Sequence, residues 1–140
     1  MQRLTLHAIA TALMITGAVA QEAQPALLDL AACRVDDQQV RLSFKFESSP
    51  CWETTVPVIG AGDNAPADTS VTIGTKSTSE VCTMNIVIAE FDQALAIAAP
   101  TNAIKVSVTN PEGKEIGSAD VAVAEPGAEC TAPTAVAAVN

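Results

Sequence analysis

The sequence predicts an all-β fold. Three observations carry that reading: short runs in which apolar and polar residues alternate, clusters of Gly, Pro, Asn, Asp and Ser between those runs, and β-branched residues concentrated within them. The clearest run is residues 40–47, where Val40, Leu42, Phe44 and Phe46 alternate with Arg41, Ser43, Lys45 and Glu47. Successive strand side chains point to opposite faces, so one face of this run is apolar and the other wet.

The other elements follow in chain order. Residues 28–35 are mostly apolar and form a first strand, and the polar residues 36–39 turn the chain into the second. Ser48, Ser49 and Pro50 end that second strand, and Cys51 and Trp52 stand at the corner. Residues 54–59 form a short strand interrupted by Pro57, which has no N–H to give a ladder and so belongs on a sheet edge. Residues 60–68 (GAGDNAPAD) are a loop by composition. Residues 69–75 alternate Val71 and Ile73 with polar residues, and residues 76–80 are a polar turn.

The longest apolar run away from the N-terminus is residues 81–92 (VCTMNIVIAEFD). It is expected as the central strand, with Cys82, Met84, Ile86 and Ile88 on the buried face. Its β-branched residues weigh against a helix. Glu90 would continue that face, and a carboxylate is a poor core residue without a partner. A bulge near Ala89 would restore the phase and turn Phe91 inward.

Residues 94–98 are expected as a further short strand with Leu95 and Ile97 inward, ended by Pro100 and Asn102. Residues 103–109 place Ile104, Val106 and Val108 on one face. Asn110-Pro111-Glu112-Gly113 is a tight-turn sequence, with Pro second and Gly fourth. Residues 114–124 return as the partner strand, with Val121 and Val123 inward. Seven or eight short strands without a helix predict an antiparallel sandwich of immunoglobulin-like type. Trp52 directly follows Cys51, which is not the antibody-domain arrangement, and architecture of this kind carries no function by itself.

This β-sandwich domain is expected to span residues 28–124. Residues 1–20 read as a cleavable signal helix: Arg3 lies near the start, an apolar run covers residues 8–19, and Ala18-Val19-Ala20 supplies the small residues a signal peptidase needs. That apolar run is too short to anchor the chain across a bilayer, so no membrane span is expected after cleavage. Residues 21–27 are expected as a flexible leader. Residues 125–140, rich in Pro and Ala, are expected as an extended tail held by Cys130. The expected location is the periplasm or the exterior.

The chain carries 7 basic and 16 acidic residues, for a net charge of −9. Loss of Arg3 with the signal segment would make the charge −10. Such a surface is repelled by phosphate backbones and anionic lipid, so no nucleic-acid partner is expected. Four cysteines in an exported chain imply disulfides. Three pairings are open, of which Cys51–Cys82 and Cys33–Cys130 are expected. Closing loops of about 30 and about 100 residues is worth roughly 3.5 and 4.7 kcal/mol in the chain-entropy view.

The chemistry is read from what the residues exclude. The only histidine, His7, lies in the signal segment, and there is no tyrosine. A mature chain without histidine has no Ser-His-Asp or Cys-His catalysis and no imidazole ligand for zinc or copper. Carboxylate pairs such as Asp36 and Asp37, or Glu112 and Glu115, sit in expected turns, where solvated charge is the simpler role. Asp63, Asn64 and Asp68 offer hard oxygens to calcium from one loop, but without the EF-hand spacing. No cofactor is expected. Trp52 and Pro50 mark the first choice of contact surface, because tryptophan is enriched where partners bind.

The reading is therefore an exported, non-enzymatic binding or structural module whose partner is a protein or glycan. The alternative is an inhibitor of an exported hydrolase that presents residues 60–68 as a rigid loop. A carboxylate-only hydrolase comes third and requires two acidic side chains facing one another across a cleft.

Overall fold

The computed structural model describes residues 27–127. Residues 1–20, expected as a signal helix, residues 21–26 of the expected leader, and residues 128–140 of the expected tail with Cys130 lie outside the described residues. Eight strands are present: β1 (Leu28–Asp36), β2 (Gln39–Ser48), β3 (Trp52–Thr54), β4 (Val58–Ala61), β5 (Asp68–Ser77), β6 (Val87–Ala96), β7 (Ala103–Thr109) and β8 (Glu115–Ala124). Among the described residues there is no helix.

The strands form one hydrogen-bonded path, β3-β5-β7-β8-β1-β2-β6, with β4 also on β5. The sheet curls into a half-barrel. It is mixed, which corrects the expectation of a purely antiparallel arrangement. β5 runs parallel to β7 along residues 68–74, and β1 is parallel to β8 at Ala32–Cys33. The cause of the first is the route of the chain: after β5 it crosses to the far edge, forms β6 against β2, and returns as β7 in the direction of β5.

The alternating runs fold as their pattern dictates. Val40, Leu42, Phe44 and Phe46 of β2, Val71 and Ile73 of β5, and Ile104, Val106 and Val108 of β7 are all buried in one core cluster. Phe44 stacks on Phe91 with ring centroids 5.1 Å apart, and Phe46 packs beside Phe44. Val121 and Val123 of β8 pack against this cluster while partly exposed. Leu27, expected in the flexible leader, is a core residue.

The turn at residues 110–113 forms as the sequence dictates. Gly113 N–H donates to the Asn110 carbonyl at 2.9 Å, and Asn110 Oδ1 accepts from the Glu112 and Lys114 amides. Gly113 has φ of 81°, a conformation that a Cβ disfavours. Pro57 does mark an edge. It separates β3 from β4, and both pair only with β5.

Residues 81–92 depart from expectation. They are not a central strand. Strand pairing starts only at Val87, and β6 is the last strand of the path, paired with β2 alone. The pairing runs from Val87 to Ala96 without a register shift, so there is no bulge near Ala89 and no separate strand at residues 94–98. Phe91 lies opposite Phe44 and sets the phase: Ala89, Phe91, Leu95 and Ile97 turn inward, and the even-numbered residues turn out. Met84 is 101% exposed, and Ile86 and Ile88 are exposed as well. A one-residue change of phase moves every side chain to the other face.

One buried charge has no counterpart in the sequence reading. Arg34 of β1 is 9% exposed and donates to the carbonyls of Ile97 at 2.9 Å and Thr101 at 2.7 Å. It ties β1 to the segment between β6 and β7, supplying donors to carbonyls that burial removes from water. Among the described residues no buried side-chain nitrogen or oxygen lacks a partner.

Candidate functional site

The site begins with the corner that ends β2. The chain turns at residues 48–51, where Trp52 N–H donates to the Ser49 carbonyl at 3.1 Å and Cys51 N–H to Ser49 Oγ at 3.3 Å. Trp52 then opens β3, opposite Ser77 at the end of β5. The link from β5 to β6, residues 78–86, starts and finishes on this same turn. At one foot, the Thr78 amide and hydroxyl both donate to the Cys51 carbonyl, at 2.8 and 3.0 Å. At the other, Val87 pairs with Ser48.

A third restraint lies between the feet. Cys82 is disulfide-bonded to Cys51, as the sequence reading expected, with Cα atoms 5.8 Å apart. Ser49 Oγ lies 3.0 Å from Cys82 Sγ. Ser79 Oγ donates to the Val81 carbonyl at 2.8 Å, which fixes the chain just before the bridge. Beyond the bridge, residues 83–86 pair with no strand.

The result is a loop held at three points that carries apolar side chains into solvent. Val81, Met84 and Ile86 are all exposed, with Val87 and Ile88 continuing the strip onto β6. Between the loop and the body of the domain lies a groove of about 470 Å³. Trp52 and Ile116 line its body side, Met84 and Ile86 its loop side, and Glu47 is the only charged side chain in the lining. Burying apolar surface of this kind is the main favourable term in association. Trp52, half-buried in the wall, and Pro50, exposed at the turn, were the contact residues expected from sequence, and both belong to this corner. Met84, Ile86 and Ile116 were missed. The signal available for the first two was Glu90, whose burial would have needed a partner.

No family model, curated protein or solved structure matches this chain. Roles for its residues therefore come from the geometry alone.

The other candidates lie elsewhere. Cys33 is disulfide-bonded too, but its expected partner Cys130 is outside the described residues. Asp63, Asn64 and Asp68 sit at the opposite end of β5 from the groove. There Asn64 Nδ2 donates to Asp68 Oδ2 at 2.9 Å, and Gly62 N–H donates to the Asp68 carbonyl at 3.1 Å, so the loop closes upon itself. A Cβ on Gly62 would come within 2.6 Å of Asp68, which is why glycine stands there. Among the described residues no three or more His, Cys, Asp or Glu side chains converge as metal ligands.

One member of each acidic pair accepts a local hydrogen bond, Asp36 in the turn after β1 and Glu115 at the start of β8 rather than in a turn. Asp36 Oδ1 accepts the Gln38 amide at 2.8 Å, and Glu115 accepts the Ser118 hydroxyl at 2.8 Å. Two ion pairs lie along the outer face of β2. The Arg41 guanidinium hydrogen-bonds Asp92 and holds its carboxyl below the usual range, while Asp92 raises Arg41. Asp29, 2.9 Å from the Lys45 ammonium, raises Lys45 through their hydrogen bond and charge attraction.

Proposed function

We propose that this protein is an exported, non-enzymatic binding module whose partner docks on the loop and groove beside Cys51–Cys82. One observation carries the reading: a loop braced at both feet and by a disulfide holds Val81, Met84 and Ile86 in water instead of folding them into the core. A domain that exposes apolar side chains on a rigid support gains affinity because little order remains to be imposed on binding. The partner is a protein, since a largely apolar groove suits apolar side chains better than a hydroxyl-rich glycan.

An extracytoplasmic setting is supported by the Cys51–Cys82 bridge, which is compatible with an oxidising compartment, and by the signal-like residues 1–20. The immunoglobulin-like reading is supported by the place of β1. It pairs with β2 on one side and β8 on the other, linking the group β6-β2-β1 to the group β8-β7-β5, whose buried faces share one core.

The test is capture from the exported fraction with the native chain and with Met84→Asp/Ile86→Asp, both purified with disulfides intact. The native chain is expected to retain a specific protein that the variant loses. Trp52, the one tryptophan, should shift its emission as that protein binds. A variant that retains whatever the native chain retains would place binding elsewhere.

A further inference from the structure

We infer that residues 81–86 form a substrate-like inhibitory loop for a serine endopeptidase with an apolar primary pocket, Met84 being the side chain that fills it. This rests on the proposed role of the disulfide corner and names the partner's chemistry. Endopeptidases take a peptide as an extended strand: its free backbone groups pair along the cleft edge, and its alternate side chains enter pockets. Residues 83–86 leave both backbone and side chain open to such a partner. They are unpaired with any strand, and Met84 stands wholly in solvent at the middle of the loop. Methionine is long, apolar and adaptable, and suits a deep apolar pocket better than an acidic or shallow one.

The braces decide between inhibitor and substrate. Hydrolysis of the Met84–Asn85 bond would add one water, leaving a carboxylate on Met84 and an ammonium on Asn85. Neither new end is free to leave. Cys82, two residues before the bond, is joined covalently to Cys51, and Val87, two residues after it, begins the ten-residue ladder between β6 and β2. The two ends stay close together in the cleft, so the enzyme's serine re-forms its ester with the Met84 carboxyl, expelling the water, and the Asn85 amine, having given up its proton, displaces the serine and restores the peptide bond. The enzyme is then occupied by a peptide that it neither releases quickly nor consumes. The loop at residues 62–67 lacks these properties. It turns back on Asp68 and carries no large apolar side chain.

The test uses the full chain with disulfides intact against purified chymotrypsin-type, subtilisin-type and trypsin-type endopeptidases. The first two should be inhibited at micromolar concentration or below and the third should not. Met84→Arg, a change at a wholly exposed side chain, should reverse this order, with each affinity moving by at least about 30-fold. Cys51→Ser/Cys82→Ser should turn the chain into a substrate cut after Met84. Failure to inhibit any apolar-pocket enzyme, fast cleavage with the disulfide intact, or indifference to Met84→Arg would overturn the inference. If those arms fail while Met84→Asp/Ile86→Asp still abolishes partner capture, the binding corner stands and only its protease partner falls. If capture is indifferent too, both fall.

Discussion

Two apolar stretches of this chain meet opposite fates. In β2, Val40, Leu42, Phe44 and Phe46 form the centre of the core. In residues 81–88, Val81, Met84, Ile86 and Ile88 face water. Hydrophobicity does not separate them. Neighbours do: β2 is paired on both sides, by β1 and β6, whereas residues 83–86 are paired on neither. A strand is buried when another strand stands on each edge and a second layer covers its face. A disulfide that holds a stretch away from the sheet keeps both from forming.

The contrast can be broken most sharply at Phe44. Phe44→Ala removes a ring that is fully buried and stacked on Phe91, and should cost about 3–5 kcal/mol, read from the shift of the urea midpoint. A loss below about 1 kcal/mol would mean that the core is not centred on β2.

Next in size is Cys51→Ser/Cys82→Ser. The bridge closes a separation of 31 residues, and its loss should cost roughly 2–4 kcal/mol. The variant should also make residues 79–86 the first site of limited proteolysis, leaving β2 protected. Unchanged cleavage there would show that the two feet suffice to hold the loop.

The smallest effect sharpens the contrast at the outer face joining the two regions. Asp92 is held below its ordinary value of 3.8 by the Arg41 hydrogen bond. Its folded form therefore binds a proton less readily than its unfolded form. The contribution is fully present above that ordinary value and disappears as pH falls through the depressed one. Asp92→Asn should thus lower the urea midpoint slightly at neutral pH and not at all in strong acid. An equal loss at both pH values would show that the charge pair is not its source.

Much of the fold was legible because alternation states which face is buried. β2, β5 and β7 declare themselves through Phe44, Ile73 and Val106, and the turn between β7 and β8 through Pro111 and Gly113. Phase was also written in residues 81–92, but in two residues only: Glu90 refuses the core and Phe91 seeks it. Shifting the whole run by one residue satisfies both, with no bulge. Strand neighbours were not legible. Nothing in the periodicity of residues 68–77 or 103–109 tells that β5 and β7 lie side by side and parallel, because that depends on where the chain goes between them. Nor did Arg34 announce its burial, since the carbonyls of Ile97 and Thr101 that it serves are distant in sequence. The corner at Pro50 and Trp52 was readable from composition. Its opposite wall required knowing that the link from β5 returns to the turn it left.

The most direct check on the exposed strip is peroxide oxidation of Met84, followed by peptide mass analysis of the native and the urea-unfolded chain. The thioether oxidises as fast as oxidant reaches it. Equal rates in the two states are expected, because Met84 stands in solvent before unfolding. Strong protection in the native chain would return Met84 to the core and leave the corner without its binding surface.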